Sequence, residues 1–110
     1  MTINDLITKC KLKILTDGET LDREIDTCYI GDLLSWVMGR APENSAWLTV
    51  MGNINSIAVA SLADVSCIVL TENASLDEEA KNKAENVGIT ILQSDKNSYK
   101  LATEIYELLK

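Results

Sequence analysis

Asp22, Arg23, Asp26 and Asp32 are the densest set of charged residues beside apolar strand positions. A guanidinium among carboxylates can clamp an anionic substrate, and a carboxylate can act as a general base. The same residues suit plainer roles: a surface salt bridge for Arg23 and a helix N-cap for Asp32, which directly precedes Leu33 and Leu34. An enzyme built on Asp22, Arg23 and Asp32 would work without the commonest general base, because the chain has no histidine. Cys10, Cys28 and Cys67 lie far apart, form no C-x-x-C pair and sit in apolar surroundings. They read as buried, reduced thiols with no metal. No catalytic residue and no cofactor is assigned.

A second chemistry is available where strands run into helices. Free N–H groups and the helix dipole at such starts favour anions. Three turns meet that description, at 51–55, 71–75 and 93–97, and they supply the candidate ligand residues Gly52, Asn53, Asn55, Thr71, Asn73 and Ser94. Each has a structural role to weigh beside it. Asn55, or Asn53 one step earlier, suits a helix cap, and Ser75 followed by Glu78 suits a capping box. Neither G-x-x-x-x-G-K-S/T nor G-x-G-x-x-G occurs, so Gly52 alone reads as backbone relief rather than a phosphate cradle.

A third feature is apolar. Trp36, Val37 and Met38 are consecutive, with Trp47 close after. Neighbours on a helix project about 100° apart, so these side chains cannot all face inward. Trp36, Met38 and Trp47 are therefore candidate interface residues, pointing to a homodimer.

The elements that must position these residues follow from periodicity and caps. Thr2 and Asp5 form a capping box for a short first helix with Leu6, Ile7 and Cys10 on its apolar face. A strand is expected over 11–16, a turn at Asp17-Gly18-Glu19, and a second strand over 25–30. A helix over 33–38 should close at Gly39 as a left-handed cap. Short apolar strands at 47–50, 67–70 and 89–92 alternate with helices at 55–62, 76–87 and 98–109. Strand–helix alternation implies right-handed crossovers and parallel pairing. The first two strands, joined by a tight turn, would add antiparallel pairing, giving a three-layer α/β/α fold with a mixed, partly parallel sheet.

The totals set the bounds. A chain of 110 residues with 46% hydrophobic and 25% charged residues suits one domain spanning 1–110. The net charge is −7 and the cations are scattered, which argues against binding nucleic acid. No stretch reads as a signal peptide or membrane span, so a cytoplasmic protein is expected.

Three stretches, "LKILTDGETLDREIDTCYIGDLLSWVM", "WLTVMGNINSIAVASLADVSCIVLTENASLD" and "KAENVGITILQSD", resemble DRTGG-domain proteins. They are most similar to the short stand-alone type that accompanies iron-only hydrogenase genes in anaerobic bacteria. The Leu21-Asp22-Arg23 segment more loosely resembles the N-terminal domain of HPr kinase/phosphorylase. The resemblance implies a three-layer α/β regulatory module, commonly oligomeric and often joined to CBS or catalytic domains. The kinase P-loop of HPr kinase has no counterpart here. Met51-Gly52-Asn53-Ile54-Asn55 also lacks the Asp-Arg-Thr-type residues that name the family.

The expected function is thus a non-catalytic regulatory or interaction module, dimeric or bound to a protein partner in a hydrogenase-related system. A small-molecule sensor for a nucleotide or other small anionic ligand is the alternative, and a small enzyme the third reading.

Overall fold

A computed structural model describes residues 1–110. The elements run α1 (Ile3–Cys10), β1 (Lys13–Thr16), β2 (Thr27–Ile30), α2 (Leu34–Arg40), β3 (Ser45–Thr49), α3 (Ile54–Ala63), β4 (Cys67–Leu70), α4 (Glu78–Val87), β5 (Ile91–Gln93) and α5 (Ser98–Leu109). They form one five-stranded sheet in the order β1-β5-β4-β3-β2. Strands β2 to β5 are parallel neighbours, and β1 pairs antiparallel with β5. The mixed three-layer architecture expected from the alternating pattern is present.

Parallel strands buried on both faces must be apolar on both faces. Ala46, Leu48, Cys67, Val69 and Leu92 point toward α1 and α5, where Leu6, Cys10, Leu101 and Ile105 complete one core. Trp47, Ile68, Leu70 and Ile91 point the other way, toward Val37 of α2, Ile57 and Ala60 of α3, and Ala80 and Ala84 of α4. Helix α4 buries only those two alanines, so it lies close to the sheet and turns its many charges outward.

The ends of the helices show which local signals held. The Thr2–Asp5 capping box is made in full, with Asp5 N–H donating to Thr2 Oγ1 at 3.1 Å and Thr2 N–H donating to Asp5 Oδ2 at 3.0 Å. Helix α2 runs through Gly39 to Arg40 and ends at an extended Ala41, so the expected left-handed glycine cap is absent. A Cβ at Gly39 would meet open space, and Pro42 stands two residues beyond Arg40, where the residue before a proline is held out of helical geometry. Helix α4 begins at Glu78 after an N-cap, Asp77, that makes no side-chain cap bond. Ser75 stands two residues before that cap, with its backbone packed against Gly52.

The first two strands are not a hairpin. The chain from 17 to 26 crosses to the far side of the sheet, with Ile3 N–H donating to Arg23 O and Ile25 N–H to Met1 O along the way. Strands β1 and β2 consequently form opposite edges. Ile25, expected within the second strand, lies before it as a buried core residue.

Candidate functional site at the carboxyl ends of the parallel strands

Parallel strands end together, so the loops after β2, β3, β4 and β5 gather at one edge of the sheet. All six candidate ligand residues stand in these loops or the helix starts that follow. Three of them, Asn53, Thr71 and Ser94, already spend side-chain hydrogen bonds within the chain. Asn53, not Asn55, is the N-cap of α3: its Oδ1 accepts from Asn55 N–H at 3.0 Å and from Ser56 N–H at 3.2 Å. The helix begins one residue earlier than expected, which moves the cap accordingly. Thr71 is fully buried and bonds Ser98 Oγ at 2.9 Å, joining the end of β4 to the start of α5. Ser94, also buried, accepts from Lys96 N–H at 3.1 Å. Asn73 takes a left-handed φ of 55°, a conformation asparagine tolerates, and its N–H donates to Ser94 O at 2.9 Å. The side chains of Asn55 and Asn73 are exposed.

Gly52 has a steric task. A Cβ built there would meet Ser75 O at 2.1 Å and the Ser75 and Leu76 backbone beyond it. The two turns therefore pack backbone to backbone, and Gly52 O accepts from Asp77 N–H at 2.8 Å.

The charged residues divide between the two ends of the sheet. Asp32, beyond the carboxyl end of β2, accepts from Thr49 Oγ1 at 2.7 Å and Val50 N–H at 3.0 Å. It does not cap α2, whose N-cap is Leu33. Arg23, before the amino end of β2, donates to Asn44 Oδ1, Asp64 O and Asp64 Oδ1 at 2.9, 2.7 and 3.0 Å. Asp64 is the left-handed C-cap of α3, so Arg23 serves a helix terminus and a half-exposed ion pair. Asp22 is exposed beside it. Asp22, Arg23 and Asp32 thus lie at opposite ends of β2 and do not converge on one site.

The strand-end rim carries Asp32, Glu72, Asp77, Glu78, Glu79 and Asp95, against Lys81, Lys96 and Lys100. Lys96 is itself held by Glu104 at 2.7 Å, and that hydrogen bond raises its pKa. A rim with more carboxylates than cations repels an anion, offsetting part of what the helix starts offer.

The apolar candidates also divide. Trp36 and Met38 are exposed, at 54% and 48%. Trp47 is fully buried, donating from Nε1 to Gly31 O at 2.9 Å, and is unavailable to any interface. It sits in β3, a strand covered on both faces.

One feature escaped the sequence reading. Between β2 and α5 lies an open groove of about 1010 Å³, lined by Cys28, Ile30, Tyr99, Tyr106 and Leu109 among others. Its trace in the sequence is the pair Tyr99 and Tyr106, seven apart on α5 and off the Leu101–Ile105 stripe. The three cysteines are free thiols on this side of the sheet. Burial pushes Cys28 up to about 11 and Cys67 up to about 12, and it also raises Cys10. None is poised as a nucleophile at neutral pH.

The sequence profile of the DRTGG domain matches residues 5–108. The chain belongs to the DRTGG domain family. This DRTGG domain resembles a solved structure from Clostridium perfringens, the CBS and DRTGG domains of the regulatory region of a pyrophosphatase, complexed with its activator, diadenosine tetraphosphate. The TM-score is 0.77 at 11% identity, over 94% of this chain and 45% of that one. The likeness is one of fold, and the chain spans less than half of the protein it matches. No curated protein sequence matches it. No helix is long and apolar enough to cross a membrane.

Proposed function

We propose that this DRTGG domain, spanning 1–110, is a non-catalytic regulatory module of the cytoplasm that acts through protein contacts as a homodimer. The observation that carries this reading is how polar and apolar groups are distributed. Asn53, Thr71 and Ser94, at the sheet end where α/β folds bind ligands, spend their hydrogen bonds on the chain itself. Large apolar side chains, Ile30, Leu33 and Trp36 among them, face outward instead. Such surface is characteristic of contact sites. The placement of the Clostridium perfringens DRTGG domain in a regulatory region supports the same role. The resemblance to the stand-alone type found beside iron-only hydrogenase genes supports a hydrogenase-related setting and a protein partner there.

Light scattering on the intact chain tests the dimer. A mass of two chains at micromolar concentration is expected, and a single-chain mass up to near-millimolar concentration would refute it.

A second reading, a sensor for a nucleotide or another small anion, is favoured by the diadenosine tetraphosphate bound to the Clostridium perfringens regulatory region. The ligand would meet the exposed Asn55 and Asn73 and the backbone around Gly52, Asn53, Thr71 and Ser94. Thermal shift with adenosine mono-, di- and triphosphate and diadenosine tetraphosphate separates the readings. Binding to the folded state at 100 times Kd adds roughly 2.7 kcal/mol, a readily measured rise in Tm. No rise with any of them eliminates the nucleotide sensor.

A further inference from the structure

The two edges of the sheet are built differently. Monomeric proteins guard exposed edges with lysine, proline, irregular register or cover. Strand β1 has Lys13 and a register break between Ile14 and Thr16. Strand β2, with four residues from Thr27 to Ile30, has no charge, no proline and a regular register against β3. Its outer side is unpaired.

Apolar surface collects on both sides of this unguarded edge. On the face of α5 lies the groove with Tyr99 and Tyr106, which are 79% and 64% exposed. On the face of α2 stand Leu33 and Trp36, with Arg40 stacked 3.9 Å from the Trp36 ring centroid. Ile30, at the end of the strand, is 49% exposed. Three aromatic rings at roughly 200 Å² each, half to four-fifths exposed, plus Ile30 and Leu33, offer on the order of 600 Å². That approaches the roughly 800 Å² that each partner covers in a standard interface.

An added peptide strand would pair with β2 and leave both helices uncovered. A second copy of this chain does not have that defect. We propose that two copies join edge to edge through β2, antiparallel about a two-fold axis perpendicular to the sheet, setting α5 against α5 and α2 against α2. This rests on the dimer reading above and specifies its surface.

Such an axis keeps each face of the sheet on its own side. Cys28 belongs to one face and Tyr29 to the other, and alternation along the strand puts Ile30 on the face of Cys28. Residues directly opposite in an antiparallel pair share a face. A pairing that uses most of the four-residue strand therefore puts the axis beside Cys28 and its copy, or beside Tyr29 and its copy. In the first register Ile30 faces Asp26 of the second copy. In the second it is the diagonal neighbour of the second copy's Ile30. Ile30→Asp consequently brings two carboxylates together in either register, where like charges oppose pairing.

The test is sedimentation or light scattering of the intact chain against concentration. Wild type should show the mass of two chains at micromolar concentration. Ile30→Asp and Tyr106→Asp should each weaken the dimer at least tenfold. Leu62→Asp, at a 72% exposed position on α3, should leave it unchanged. Circular dichroism confirms folding of each variant, and Tyr106→Asp alone decides if Ile30→Asp unfolds. A dimer that survives both Ile30→Asp and Tyr106→Asp overturns this surface and leaves the dimer reading standing. A wild type that is a single chain throughout overturns both.

Discussion

Asp32 and Thr49 are joined by a 2.7 Å hydrogen bond across the ends of two neighbouring parallel strands. Through its second contact, Val50 N–H at 3.0 Å, the same Oδ1 also holds the first residue past β3. A carboxylate here fastens the place where β2 and β3 let go of each other. The residue is exposed, so solvent weakens the bond. Asp32→Ala should cost about 1 kcal/mol of stability, and Asp32→Asn should recover part of it by keeping an acceptor oxygen. Urea denaturation measures both, and a change below about 0.3 kcal/mol for the alanine variant would mean the bond contributes nothing net.

Gly52 and Gly39 should respond in opposite ways to the same change. At Gly52 the added methyl group collides with the Ser75 carbonyl, a backbone atom that cannot swing aside. Gly52→Ala should cost about 2–4 kcal/mol. Gly39 has open space around it inside α2, and Gly39→Ala should stabilise by about 0.5–1 kcal/mol through helix propensity. Thermal melts of the two variants read the contrast directly. Equal melting temperatures would show that the contact between the two turns relaxes freely.

The cap of α3 gives a similar pair. Asn53→Ala removes the acceptor for two backbone N–H groups and should cost about 1 kcal/mol. Asn55→Ala removes an exposed side chain with no cap bond and should stay within about 0.5 kcal/mol of wild type. Denaturant midpoints of the two variants check it, and an Asn55→Ala loss as large as that of Asn53→Ala would contradict the cap position.

The thiols predict a decline of stability at high pH. Cys67 and Cys28 have an ordinary value of 9.0 when exposed, raised by burial to about 12 and about 11 in the folded chain. Above pH 9 the unfolded chain releases these protons while the folded chain keeps them. Stability is therefore complete below pH 9 and falls as pH rises through the window from 9 to about 11 for Cys28 and about 12 for Cys67. Each thiol adds at most about 1.4 kcal/mol per pH unit within its window. Cys67→Ala should flatten the decline between pH 9 and 10.5, followed by urea denaturation at each pH. A decline as steep as wild type would show that Cys67 does not carry it.

The parallel core from β3 onward was readable because each strand is a short apolar run followed by a helix with its own punctuation, such as Gly88 at the end of α4. What escaped depends on contacts between residues far apart in the chain. Ser75 has the spacing of a capping-box residue, yet Gly52 claims its backbone from another turn. Trp47 has the composition of an interface residue, yet Gly31 O takes its indole N–H in the core. Asp32 stands where a cap belongs, yet Thr49 claims its carboxylate. At the candidate site the six candidate ligand residues stand in the strand-end loops or, for Asn55, in the first turn of α3. That Asn53, Thr71 and Ser94 are already hydrogen-bonded within the chain is a property of the assembled sheet, invisible to spacing.

The position of β1 sets an order of events for the newborn chain. It precedes the other four strands in the chain, yet its sheet partner, β5, is the last of the five: Lys13 must wait for Gln93 and Ile14 for Leu92. Strands β2, β3 and β4 can pair in sequence as they appear, each with the next. Strand β1 has no sheet partner until β5 has been made. Contacts so distant in sequence slow folding, because the loop must close before the contact stabilises it. Pulse-labelled hydrogen exchange during refolding should find β3 and β4 protected before β1, and simultaneous protection of all three would show that the sheet closes in one step.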